Sequence, residues 1–230
     1  MKKTIWIYQL LILGLGLILV STNSCKKDGD STPTVKDIDG NIYHTVKIGS
    51  QVWMVENLKT THYRDGTSIQ NVTDGTVWHN LTTGAYCNYN NDANNPITYG
   101  RLYNWYAVRD SRNIAPTGWH VPSDVDWTTL TNYLGGEDIA GGKLKEAGIW
   151  HWGNPNTEAT NKTGFTALPG GWRSDYGIFV NVGYLGCWWS STENDTQDYA
   201  WSRYMHYTSA ESFRYKTGKN CGFSVRCVKD

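Results

Sequence analysis

Apolar and polar positions are arranged differently in successive stretches of this chain. Near the start, Lys2 and Lys3 precede an almost wholly apolar run from Ile5 to Val20, which gives way to Ser21-Thr22-Asn23-Ser24 and then Cys25. Positive charge, apolar core and small residues in that order predict a secretory signal peptide over residues 1–24. The apolar core is about 16 residues long, short of the ~20 that a helix needs to cross a bilayer. Residues 25–34 are charged, small and broken by Pro33, so they bury no apolar area and predict a flexible tether.

From residue 35 onward the pattern changes to short periods. Asp39-Gly40-Asn41 is a turn signal, Ile42 to Ile48 alternates, and Gly49-Ser50 turns again into Gln51-Val52-Trp53-Met54, which predicts a hairpin within Val35–Leu58. Thr60–Asn95, rich in Thr, Asn, Gly and Asp, predicts loops with short strands. Leu102, Trp105, Tyr106 and Arg109 fall at helical spacing and predict a helix over Tyr99–Val108. Ser123 followed by Asp126 is a capping-box pattern; Trp127, Leu130 and Leu134 follow at spacings of three and four, and Gly135-Gly136 ends that helix. A shorter helical piece is predicted over Ile139–Glu146. Short strands are predicted at Phe165–Ala167, Gly186–Ser190, Ala200–Tyr207, Ser212–Tyr215 and Gly222–Val228. Strands, helices and then a loop-rich strand region predict an α+β domain over residues 35–230, with no solenoid-type internal repeat.

Composition narrows the classes. About 195 residues after the tether suit one domain with its own core. The formal net charge is +0 and the basic residues are not clustered along the sequence, which argues against nucleic acid as a partner. The chain carries 12 Trp and 15 Tyr against 4 Phe. Trp and Tyr join a large apolar body to a polar tip that needs a partner. Such a set suits loops crossing a core, and it also suits a surface where rings stack on sugar faces.

Cys25, directly after the small residues, makes the cleavage region the lipobox of a bacterial lipoprotein. Acyl chains on Cys25 then give a membrane anchor. No Asp follows Cys25, which points to the outer membrane, and Lys26-Lys27-Asp28-Gly29-Asp30 is similar to the export signals of surface lipoproteins in Bacteroidota-type bacteria. Four further cysteines, Cys87, Cys187, Cys221 and Cys227, are disulfide candidates in an oxidising compartment. Cys221 and Cys227 would lie about 20 Å apart on one strand face and cannot pair with each other. Of the three connectivities, Cys187 with Cys221 is preferred, leaving Cys87 near Cys227. A zinc site lacks a close CxxC pair.

Several segments resemble the Fibrobacter succinogenes major paralogous domain, a module of exported bacterial proteins. They are Asp37–Tyr43, Ile48–Leu58, Tyr99–Trp105, Gly118–Asp124, Gly141–Glu146, Gly164–Gly171, Trp188–Glu193 and Gly222–Val228, in order across nearly the whole domain. Trp119–Trp127 and the late Trp-Trp-Ser-Ser and Phe-Ser-Val-Arg-Cys-Val segments are also similar to C-type-lectin-like and formylglycine-generating-enzyme-like folds. That likeness implies a C-type-lectin-like α+β fold with two main helices, short antiparallel strands, long loops and meeting terminal strands. Many family members carry a Cys where this chain has Ala115, which implies that Cys87 replaces it as the partner of Cys227.

The candidate chemistry is sparse. Asn154-Pro155-Asn156 with Glu158 nearby is similar to the loop with which calcium-dependent lectins hold Ca²⁺ and sugar hydroxyls. Against that, Ca²⁺ wants six to eight oxygens, and a proline turn explains the same residues. Glu193-Asn194-Asp195 lacks the form of the second ligand cluster of such lectins. Ca²⁺ is the one cofactor suggested, and no motif requires one. Formylglycine-generating relatives bind copper through late cysteines, but Cys221 and Cys227 are too far apart to share an ion. His44, His62, His79, His120, His151 and His206 are scattered, and His120 suits a hydrogen-bonded structural role. Asp124 and Asp126, in a helix's first turn, offset its dipole rather than form an acid–base pair. No nucleophile elbow and no phosphate loop occurs. Trp188 and Trp189 are neighbours on a strand and face opposite ways, which predicts one in the core and one exposed for ring stacking. The expected role is that of a lipid-anchored, non-catalytic binding or display protein of the outer membrane, with a glycan or another envelope protein as ligand. The alternatives are a structural surface module and, further off, an oxidase of the formylglycine-generating kind.

Overall fold

The computed structural model describes residues 33–230. The predicted signal peptide, Cys25 and most of the tether lie outside the described residues. Among the described residues, no helix is long and apolar enough to cross a membrane.

The hairpin predicted from the first alternation is present. Strands β2 (Ile42–Ile48) and β3 (Gln51–Met54) pair antiparallel with Val46 opposite Trp53, and Gly49 makes the turn at a φ of 60°. With β1 (Thr34–Lys36), β13 (Val228–Lys229) and β7 (Trp119–His120) they form one sheet in the order β1-β2-β3-β13-β7. The last strand of the chain therefore lies between β3 and β7, pairing Val228 with both Trp53 and His120. A second sheet has the order β12 (Phe213–Gly218), β11 (Tyr199–His206), β10 (Leu185–Glu193), β8 (Gly170–Arg173) and β9 (Phe179–Val182). A small third sheet joins β4 (Gln70–Asn71), β5 (Ala85–Cys87) and β6 (Leu102–Tyr103). The helices are α1 (Gly75–His79), α2 (Asn95–Tyr99), α3 (Trp105–Arg109), α4 (Asp124–Tyr133) and α5 (Glu137–Leu144). The fold is α+β, with mostly antiparallel sheets and short helices.

Helix α4 starts as its sequence predicts: Ser123 Oγ accepts from the Asp126 N–H, and the Asp126 carboxylate accepts from the Ser123 N–H at 2.8 Å. The expected helix over Tyr99–Val108 is cut to five residues. Leu102 and Tyr103 are taken as a strand opposite Cys87 and Tyr86. Asn104, buried, then caps α3 by accepting from the Ala107 N–H at 3.1 Å while also accepting from the Ala85 N–H at 2.9 Å. Helix α5 ends before Lys145, whose backbone turns extended and bridges Ala167. The strand expected over Gly222–Val228 is mostly absent. Residues 222–224 thread the core instead, making single bridges to Arg173, Tyr103 and Trp188.

Tryptophan, rather than phenylalanine, builds this core because its N–H fixes loops. Trp53, Trp127, Phe165 and Trp188 pack together with ring centroids 4.9 to 6.4 Å apart. Trp78 Nε1 donates to the Asn220 carbonyl at 2.6 Å, Trp105 Nε1 to Ser190 at 3.0 Å and Trp152 Nε1 to Ala167 at 2.9 Å. Each bond ties a buried ring to the backbone of a segment distant in the chain or across a loop, at the bulged part of β10 in the case of Ser190.

Candidate functional site

The long sheet has two faces, and register assigns residues to them. Cys187 lies opposite Tyr204 and Tyr204 opposite Phe213; Trp189 lies opposite Ser202 and Ser202 opposite Tyr215. Directly opposed residues share a face. The alternate row, Trp188, Arg203 and Arg214, faces α4, where Arg203 and Arg214 both reach the Asp124 carboxylate at 2.7 and 2.9 Å.

On the face away from α4, the central positions Cys187, Ala200, Ser202 and Thr217 are small, and tyrosines flank them. The result is a groove of about 720 Å³ lined by Tyr106, Trp172, Tyr204, Tyr215 and Phe223, with Tyr199 at its edge although register sets its side chain in the Trp201–Arg203 row. Its polar margin includes Asp175, Asn181, Asp198 and Asn220. Tyr215 is 58% exposed and Tyr199 40%. Tyr204 stacks on Phe213 at 4.5 Å and 11°, while Trp172 meets Phe223 edge-on at 5.7 Å and 88°. Phe223 in turn stacks on Trp189 at 4.8 Å, so the groove rests on the core. The Trp172 indole N–H is buried with no partner among the described residues. Burial pushes the Cys221 thiol up to about 12, helped by the nearby Asp175 carboxylate. Burial, with Cys221 beside it, raises Cys187 well above the ordinary range. Both sulfurs in the groove are therefore protonated at neutral pH and poor nucleophiles. Flat, half-exposed rings among amides and carboxylates can stack on a ligand and hydrogen-bond its hydroxyls.

The residues singled out in the sequence are distributed differently from expectation. Trp188 and Trp189 do face opposite sides, but both are fully buried, because each face of β10 is covered. Trp188 packs on Trp127 and Phe165, and Trp189 donates to the Tyr103 carbonyl at 2.7 Å. Neither ring is open to a ligand, which corrects the assignment of an exposed stacking tryptophan here. In the Asn154–Glu158 loop the side chains do not converge. Asn154 and Glu158 are exposed, whereas Asn156 is buried and donates to the Glu146 and Gly148 carbonyls at 2.9 and 2.6 Å. The buried Lys145 ammonium donates to the Thr157, His206 and Ser209 carbonyls at 3.0, 3.1 and 2.8 Å. The loop is thus held by the chain's own cation, and these residues do not fit Ca²⁺. Among the described residues, no group of three His, Cys, Asp or Glu side chains could hold a metal.

Cys87, Cys187, Cys221 and Cys227 are all buried and unbridged in this structure. Cys187 and Cys221 share the groove, whereas Cys87 and Cys227 fall in separate parts of the core. His120 has the structural role expected of it, bonded to Asp230 at 2.7 Å and to Asp126 at 3.3 Å. The groove tyrosines were not singled out from sequence. The alternation through Ala200–Tyr207 and Ser212–Tyr215 was their only signal, since it puts Tyr204 and Tyr215 on faces that pairing alone can match.

An α+β domain with an aromatic groove on its long sheet is the class these features define. Residues 46–229 match the Fibrobacter succinogenes major domain, and the chain belongs to that family. No curated protein and no solved structure matches it.

Proposed function

We propose that this protein is a cell-envelope lipoprotein, anchored through Cys25 in the outer membrane, whose domain is a non-catalytic binding module for a glycan. The observation that carries the reading is the groove: half-exposed tyrosines and Trp172 over a floor of small residues, edged by Asp, Asn and Lys. Its volume of about 720 Å³ lies within the ~300–1,000 Å³ of small-ligand sites. The lipobox at Cys25 supports the anchor. A C-type-lectin-like arrangement is supported by the last strand lying between β3 and β7 and by α4 and α5 as the two longest helices among the described residues.

A glycan array probed with the whole chain, followed by titration of the best neutral oligosaccharide, tests the reading. Tyr215→Ala and Tyr204→Ala are expected to weaken binding about fivefold each, since stacking on one ring contributes on the order of 1 kcal/mol. Unchanged affinity in both variants, or no glycan bound, removes the proposal.

A further inference from the structure

A second cleft lies on a different part of the molecule. Four separate segments meet there: the β2–β3 turn, the end of α4, the end of α5 and the loop at residues 162–163. They enclose about 330 Å³ lined by Lys47, Lys143, Lys162, Tyr133, Thr163 and the Ile48–Gly49 turn among others. The turn is fitted closely to the tyrosine, since a Cβ on Gly49 would stand 2.9 Å from the Tyr133 ring. Tyr133 itself is 65% exposed. No carboxylate lines the cleft, and among the described residues none of the three lysines takes part in an ion pair. Lys143 donates to the Leu134 carbonyl at 2.6 Å, which fixes its ammonium at the end of α4. Lys47 and Lys162 are exposed and have no such partner.

Lysines from three distant positions, 47, 143 and 162, border this one concavity, and no carboxylate lines it. A positive lining without a carboxylate is complementary to a bound anion. Lysine is a point-charge donor suited to phosphate, and Tyr133 adds a hydroxyl, whereas the Thr163 hydroxyl is already given to the Lys143 carbonyl. Lys47 also lines a neighbouring cleft that contains Pro33, where the described chain begins. We propose that the Lys47–Lys143–Lys162 cleft binds a phosphate group, either free or carried by an anionic lipid headgroup. The site is independent of the aromatic groove.

The test uses the whole chain in a neutral detergent. One arm follows the melting temperature with inorganic phosphate against sodium chloride of equal ionic strength. The other compares mixed micelles of phosphatidylglycerol and phosphatidylcholine. Phosphate is expected to raise the melting temperature beyond the chloride control. Lys47→Gln combined with Lys162→Gln, both at exposed positions, is expected to abolish that rise and weaken any phosphatidylglycerol binding about tenfold or more. A phosphate response with lipid preference assigns the headgroup as source; a phosphate response alone assigns a soluble phosphate ester. No phosphate response, or one that the double variant keeps, overturns the proposal.

Discussion

Asn57 and Arg226 meet at the centre of the domain, where the guanidinium Nε and Nη2 both donate to the Asn57 Oδ1 at 3.0 and 2.8 Å. The same oxygen accepts from Trp188 Nε1 at 2.8 Å. Arg226 is 1% exposed and has no carboxylate in contact; burial pulls its pKa down to about 9 against the weaker pull of Glu56. One amide oxygen therefore answers three buried donors. Arg226 also donates to the Phe165 carbonyl, so Asn57→Ala strands the guanidinium Nε–H and the indole N–H and is expected to destabilise the protein by about 2–4 kcal/mol. Asn57→Asp keeps an acceptor and is expected to cost less. Urea unfolding midpoints compare the two, and an alanine variant as stable as the aspartate variant contradicts the network.

Trp188→Ala and Trp189→Ala act on stability, not on a ligand surface. Each ring is fully buried and each indole N–H has an acceptor. Removing either is expected to cost roughly 3–5 kcal/mol from lost contacts and the cavity left behind. Thermal unfolding of each variant decides the matter; a melting temperature like the parent's at either position would mean that the ring is not where the core needs it.

The contrast between Trp188 and the groove shows what the sequence could convey. Local signals were legible. The Ser123–Asp126 cap, the Gly49 turn and the alternation of β2 are set by residues a few positions apart, and all three are present. What failed depended on partners distant in the chain. Trp188 and Trp189 correctly face opposite ways, but that says nothing about whether Phe223 or Trp127 covers each side. Leu102 carries helical spacing with Trp105, Tyr106 and Arg109, yet pairing with Cys87 draws it into a strand. The lysines at 47, 143 and 162 are unremarkable in sequence and come together only when four loops and helix ends meet. The groove is a property of opposed rows on β10, β11 and β12, so its small floor residues could not be matched before the register was known.

Acid should unfold this protein partly through Asp124. Burial opposes ionisation of its carboxyl, but the hydrogen bonds and charges of Arg214 and Arg203 outweigh burial and hold its pKa below the ordinary value. The unfolded chain, with a carboxyl pKa near ~3.9, takes up this proton first. Stability from the cluster is thus fully present well above pH ~4 and is lost as pH falls through the folded-state value. Asp124→Asn removes the titrating group. Its stability is expected to be lower than the parent's at pH 6 and to change less between pH 6 and pH 3. Parallel denaturation profiles for the two proteins would show that Asp124 does not contribute to acid sensitivity.

Calcium should leave the domain indifferent, because Lys145 already occupies the carbonyl oxygens near the Asn154–Glu158 loop. Its ammonium binds three carbonyls from two separate segments, Thr157 on one side and His206 and Ser209 on the other. A ligand binding at a hundred times its Kd would stabilise the fold by about 2.7 kcal/mol, a shift easily seen in a melting curve. Millimolar Ca²⁺ and excess EDTA are therefore expected to give the same melting temperature. Lys145→Met retains most of the apolar stem but strands the three acceptors, each of which costs on the order of 1–3 kcal/mol if it stays dry. That variant is expected to melt well below the parent, with added Ca²⁺ failing to restore it. Restoration by Ca²⁺, or a parent protein that EDTA destabilises, would return the loop to the metal-binding role that its Asn-Pro-Asn sequence first suggested.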